Sequence, residues 1–193
     1  MPSAAFGLWF ADRSRALDEI ENAHRSVGGA GPGRRTTTQQ INQAYALLLS
    51  SQFQGFCRDL HTEGAKHFVN PVADAWLRLM LGNNLIFNRK LDRGNPNPGN
   101  IGSDFNRFNF VFWTLVETHQ PRNVQRRAAL EELNEWRNAI AHHDFSLAML
   151  RGGRPVLQLS QVQAWRKACD GLVESFDEVL RVHLQNRMGV SPW

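Results

Sequence analysis

Apolar residues in this chain recur at the three- and four-residue steps of an α-helix over long stretches, and clusters of glycine and proline separate those stretches. Such a pattern admits stacked helices and leaves little room for a sheet, because strands need an apolar period of two. A first helix is expected over about 6–25, with Leu17, Ile20 and Ala23 at helical spacing, ending in Gly28-Gly29-Ala30-Gly31-Pro32-Gly33. Residues 28–35 read as a flexible linker; no Gly-Lys-Ser/Thr follows the glycines, so this is no phosphate loop. The second helix should start near Thr37 or Thr38 and reach about Phe68. It carries Ile41, Tyr45, Leu48, Leu49, Phe53, Phe56 and Leu60 on a broad apolar face and is expected to be central.

Asn70-Pro71 breaks that helix, since proline restricts the residue before it and suits the first turn of a new one, over about 72–87. Residues 92–103, beginning Asp92-Arg93-Gly94-Asn95-Pro96-Asn97-Pro98-Gly99-Asn100, read as a loop. Further helices are expected over about 104–119, 124–141 and 160–186. Between the last two, apolar runs at 147–150 and 156–159 flank Arg151-Gly152-Gly153-Arg154, the pattern of a hairpin. The expected fold class is all-α: an up-and-down helical bundle with a small β-hairpin insert at 145–159, in a single domain over 1–193.

Composition removes several classes of function. A hydrophobic fraction of 42% with six Trp and twelve Phe is too apolar for intrinsic disorder. No run approaches the length of a membrane span, and the N-terminus does not read as a signal peptide, so no membrane association and a cytoplasmic location are expected. Cys57 and Cys169 are far apart on helical segments and read as reduced core thiols. The net charge of +4 is carried almost wholly by arginine, Lys66, Lys90 and Lys167 being the only lysines, and is compatible with a polyanionic partner such as RNA.

The segment with the most chemistry is Leu133-Asn134-Glu135-Trp136-Arg137-Asn138-Ala139-Ile140-Ala141-His142-His143-Asp144, at the end of a late helix. At 100° per residue Ala129, Leu133, Trp136 and Ile140 form one stripe, with Asn138 and His142 on roughly the opposite side. Arg137 falls on the flank. A polar pair turned away from its own core can be completed by a second copy of the same helix.

This Arg-Asn-x-x-x-His segment, with Ala141 before the histidine and Leu130, Leu133 and Trp136 ahead of it, resembles the motif of the HEPN ribonucleases. The run from Ala46 to Leu60 is similar to the early long helix of that family, with Gln54 where many members carry a glutamate. Among the subfamilies, the chain looks most like the RiboL-PSP-HEPN group. The resemblance implies a homodimer with a composite site, no cofactor, and Arg137 and His142 as catalytic residues. It also implies RNA as substrate, and an antitoxin or nucleotidyltransferase partner in toxin-antitoxin or antiviral defence.

The chemistry suits these residue types. Metal-independent RNA cleavage needs a group to take the 2′-hydroxyl proton, a group to protonate the leaving 5′-oxygen, and positive charge on the phosphate. Histidine titrates near neutrality and serves the first two; arginine stays charged and its fork matches two phosphate oxygens. Asn138 and His143 are supporting candidates, with His143 expected toward Trp136 as a packing or supporting residue. Arg58, Asp59 and His61 either line an RNA groove or form surface pairs. Gln52 reads as a hydrogen-bonded core amide, and Trp9, Trp76, Trp113 and Trp165 as core. No catalytic metal is expected, because His142 and His143 project apart and no His-x-x-x-His or Cys-x-x-Cys accompanies them. Two other readings stay open: a non-catalytic HEPN binding module for a nucleotide or a nucleotidyltransferase, and a helix end whose cations only complement the dipole.

Overall fold

A computed structural model describes residues 1–27, 34–146 and 156–193, with backbone alone for 34–36. The described residues are helical and contain no strand: α1 (Ala4–Leu8), a π-helical turn (Trp9–Arg13), α2 (Ser14–Val27), α3 (Arg34–Val69), α4 (Ala75–Ile86), a 3-10 turn (Lys90–Asp92), α5 (Pro98–Phe105), a second 3-10 turn (Asn106–Phe108), α6 (Phe112–His119), α7 (Asn123–His142) and α8 (Leu159–Met188). The all-α bundle is as expected. Of the expected hairpin, residues 147–155 lie outside the described residues, and 159 already belongs to α8. Of the expected linker, 28–33 lie outside them, while Arg34 and Arg35 open α3.

The long α3 and α8 run side by side in the same direction, as Tyr45 with Arg166 and Gly64 with Leu180 show. α2 and α7 flank them in the opposite direction, through Asp18 with Arg166 and through Arg126 with the carbonyl of Gly171. The core packed against α8, built from α3, α5 and α6, is aromatic. Phe53, Phe105, Phe112 and Trp113 all pack on Phe176, with centroid separations from 4.7 to 6.1 Å. Each ring so buried contributes on the order of 2–3 kcal/mol by transfer from water. At two places an arginine lies across the backbone: Arg13 over Gly55 and Arg126 over Gly171, where a Cβ would collide with the guanidinium. The π-turn bulges the first helix so that Trp9 is buried and donates to Asp170 Oδ1 at 2.9 Å, while Arg13 reaches Gln52 and Asp59.

Three expectations need correction. The loop over 92–103 ends at Pro98, because Asn97 Oδ1 accepts from the Asn100 N–H at 2.8 Å and the proline fills the first turn, starting α5. The helix expected over 104–119 is broken: Asn109 is left-handed at φ 63°, and α6 starts only at Phe112, whose N–H donates to Asn106 Oδ1 at 2.9 Å. Asparagine tolerates that conformation and supplies the cap, which apolar periodicity does not report. Trp76, expected in the core, is 69% exposed on α4, whereas Trp9, Trp113 and Trp165 are buried.

Candidate active site

α7 presents one face to the core through Leu130, Leu133, Trp136 and Ala139, all buried. Asn138 and His142 are exposed, as the helical period requires, and Arg137 on the flank is half-buried. The helix stops in a Schellman motif. His143 is left-handed at φ 53°, its N–H donates to the Ile140 carbonyl at 3.3 Å, and the Asp144 N–H donates to the Ala139 carbonyl at 2.9 Å. His142 is therefore the last helical residue, at the rim where the chain turns away. His143 is exposed, with its ring edge-on to Phe145 at 5.7 Å; Phe145, rather than His143, meets Trp136. The Asp144 carboxyl is held below the usual range by hydrogen bonds from Ser146 and, more weakly, by charge on His142.

Arg137 and His142 do not meet within one chain. Five residues turn the helix by about 140°, so the two side chains diverge. Arg137 Nη1 instead donates to Asn138 Oδ1 at 3.2 Å, and Asn95 Nδ2 donates to the same oxygen at 2.9 Å. Arginine only donates, so the atom it meets must be the amide oxygen, which turns the NH2 of Asn138 outward as a donor pair.

Asn95 is the residue that the sequence reading missed. It belongs to a chain of amides joining α3 to α7. Gln54 on α3 donates to the carbonyls of Leu91 and Gly94 at 2.6 and 2.8 Å. Asn95 in turn receives Asn97 Nδ2 on its side-chain oxygen and Asn100 Nδ2 on its carbonyl, each at 2.8 Å. On α7, Asn134 is buried and donates to the carbonyls of Pro96 and Leu130 at 3.1 and 2.8 Å. A glutamate at position 54 would have no N–H to give those carbonyls, so the glutamine matches this loop. The available signal was the density of asparagine and proline at 95–100, read as loop composition alone.

Arg58, Asp59 and His61 do not form one surface. Arg58 pairs with Asp92 at 2.9 Å, and Asp59 with Arg13 at 2.6 Å. His61 is fully buried against Phe105 and Phe108, which removes it from any RNA groove. Its Nε2–H donates to the Asp104 carbonyl at 3.0 Å, leaving Nδ1 toward Arg89 Nη1 at 3.4 Å. Desolvation lowers its pKa to about 3. Gln52 accepts from Arg13 at 2.8 Å. Cys57 and Cys169 are buried free thiols pushed upward by desolvation, so neither offers a ready thiolate. Among the described residues no group of three histidine, cysteine or acidic side chains is placed to hold a metal ion. No helix of the described residues is long and apolar enough to cross a membrane. Comparison of the chain with family models, with curated proteins and with solved structures found no match.

Proposed function

We propose that this chain is a metal-independent endoribonuclease of the HEPN type, with Arg137 and His142 as catalytic residues and Asn138 as a phosphate-binding partner. The observation that carries the reading is the clamp on Asn138: Arg137 and Asn95 both donate to its oxygen, aiming two N–H donors outward beside a guanidinium. Donors so directed suit an anion with several oxygens, and an exposed imidazole stands one turn further along at the helix end.

In the proposed reaction His142 takes the proton from the ribose 2′-hydroxyl, and the 2′-oxygen bonds to phosphorus. The bond from phosphorus to the 5′-oxygen breaks, and His142 of a second copy gives that oxygen a proton. Arg137 and the Asn138 amide hold the charge on the non-bridging oxygens. The divergence of Arg137 from His142 along one helix favours a homodimer, in which the arginine of one copy serves the histidine of the other. The fitting biological setting is a toxin or antiviral effector restrained by an antitoxin or a nucleotidyltransferase.

The test is a labelled RNA oligonucleotide incubated in excess EDTA, with end-group analysis. The expected products carry 2′,3′-cyclic phosphate and 5′-hydroxyl ends, and a 2′-methoxy group at the scissile nucleotide blocks cutting. His142→Ala and Arg137→Ala should each lose on the order of 100-fold or more in rate while melting within about 2 °C of wild type. RNA bound but never cut would favour a non-catalytic binding module. Activity lost to the chelator and restored by magnesium, with 5′-phosphate products, would defeat the mechanism.

A further inference from the structure

α4 is built as a rigid element and left uncovered. Its first turn is capped by Asp74, whose Oδ1 accepts from the Leu77 N–H at 2.7 Å. Its last turn is closed by Arg107, which donates to the carbonyls of Leu85, Phe87 and Asn88 at 3.0, 2.7 and 2.9 Å. Leu85 alone on the helix is buried, yet Trp76, Leu77, Leu79, Met80 and Leu81, with Phe87 just beyond, are between 39% and 72% exposed. At 100° per residue the exposed apolar side chains span about 200° of the helix circumference. A monomer gains nothing from holding that surface in water.

We propose that α4 is a self-association surface, on which α4 of a second copy of this chain packs. Three observations favour that occupant. The six side chains together expose an area on the order of 700 Å², close to the roughly 800 Å² that each partner contributes to an interface of standard size. The helix has one charged residue, Arg78, and its guanidinium is turned back onto the carbonyls of Val72 and Ala73. Apposing two copies therefore brings no like charges together, whereas a polyanion or an acidic partner would find no free cation on the helix. An interfacial membrane helix would carry a basic polar face, which this helix lacks.

This surface shares no residue with the candidate site at the end of α7, and the proposal does not rest on the ribonuclease reading. The experiment is light scattering of the full chain at micromolar concentration. Wild type should exceed the 21.9 kDa chain mass, and the double variant Trp76→Glu with Met80→Glu should have half the wild-type mass while melting no lower. His142→Ala should leave the mass unchanged, which separates this test from the nuclease assay. Leu79→Cys should be joined to its counterpart by a short bismaleimide, because Cys57 and Cys169 are buried and do not compete. A monomeric wild type, an unchanged mass in the double variant, or absence of the cross-link would overturn the proposal. Flotation of monomeric wild type with vesicles of zwitterionic and anionic lipid, lost in the double variant, would overturn it in favour of a lipid surface.

Discussion

α7 and α4 each carry a tryptophan, and they treat it in opposite ways. Trp136 on α7 is 4% exposed, 6.4 Å from the Trp165 ring, whereas Trp76 on α4 is 69% exposed. α7 turns its apolar stripe inward and leaves Asn138 and His142 outside. α4 leaves its apolar residues outside and spends its one charge on its own approach loop. The exposed surface of a helix is thus informative when it departs from plain solvation: α7 holds polar groups in a fixed hydrogen-bonded arrangement, and α4 holds apolar groups that water does not favour.

The widest separation between the two helices is expected in truncation of their tryptophans. Trp136→Ala should cost about 3–5 kcal/mol through lost burial and the cavity left behind. Trp76→Ala, measured by denaturant unfolding in dilute solution where self-association is dissociated, should stay within about 0.5 kcal/mol. Equal costs would mean that α4 is covered within the monomer, and that the two helices do not differ in this way.

A smaller effect is expected from acid acting on the joint between the two helices. The chain leaving α4 passes through Arg89, which holds Asp92 with two bonds at 3.1 Å and reaches Thr62 at 2.8 Å over buried His61, before it arrives at Asn95. Desolvation is the main cause of the low pKa of His61, and Arg89 and Arg107 add to it; the Asp104 carbonyl and Asp92 oppose it. A neutral buried imidazole binds fewer protons than the unfolded chain wherever pH lies between its folded value of about 3 and its ordinary 6.5. Stability from this group is therefore full above about pH 6.5 and is lost as pH falls, by about 2–3 kcal/mol at pH 4.5. His61→Gln should flatten the slope of unfolding free energy against pH across that window. An unchanged slope would assign acid sensitivity to other groups.

The smallest effect concerns the end of α7. His143 adopts a left-handed conformation that costs a non-glycine residue about 1 kcal/mol, and it sits beside the candidate site. His143→Gly should raise the melting temperature by about 2–4 °C and leave RNA cleavage within a few-fold of wild type. A loss of cleavage comparable to that of His142→Ala would move His143 into the reacting centre.

The helices with strong amphipathic period were legible residue by residue. α3, α7 and α8 fall within a few residues of their expected bounds, and the inward stripe of α7 correctly turned Asn138 and His142 outward. The period records which side of a helix avoids water, and that is a property of sequence spacing alone. Position 61 shows where such reasoning ends: on α3 a histidine beside Arg58 and Asp59 reads as a surface residue, yet Phe105 and Phe108 close over it from another part of the chain. The same holds at Asn95, whose bond to Asn138 joins residues 43 apart, and at Pro98, where a cap formed by Asn97 begins a helix inside an apparent loop. Trp76 marks the converse case, since apolar residues all round a short helix predict burial, and only the packing of α4 against α3 decided which of them remained uncovered. Spacing fixes which faces of each helix can be apolar or polar; which face meets a neighbour, and which amide finds its partner across the fold, depends on the placement of whole elements relative to one another, and no local pattern encodes that.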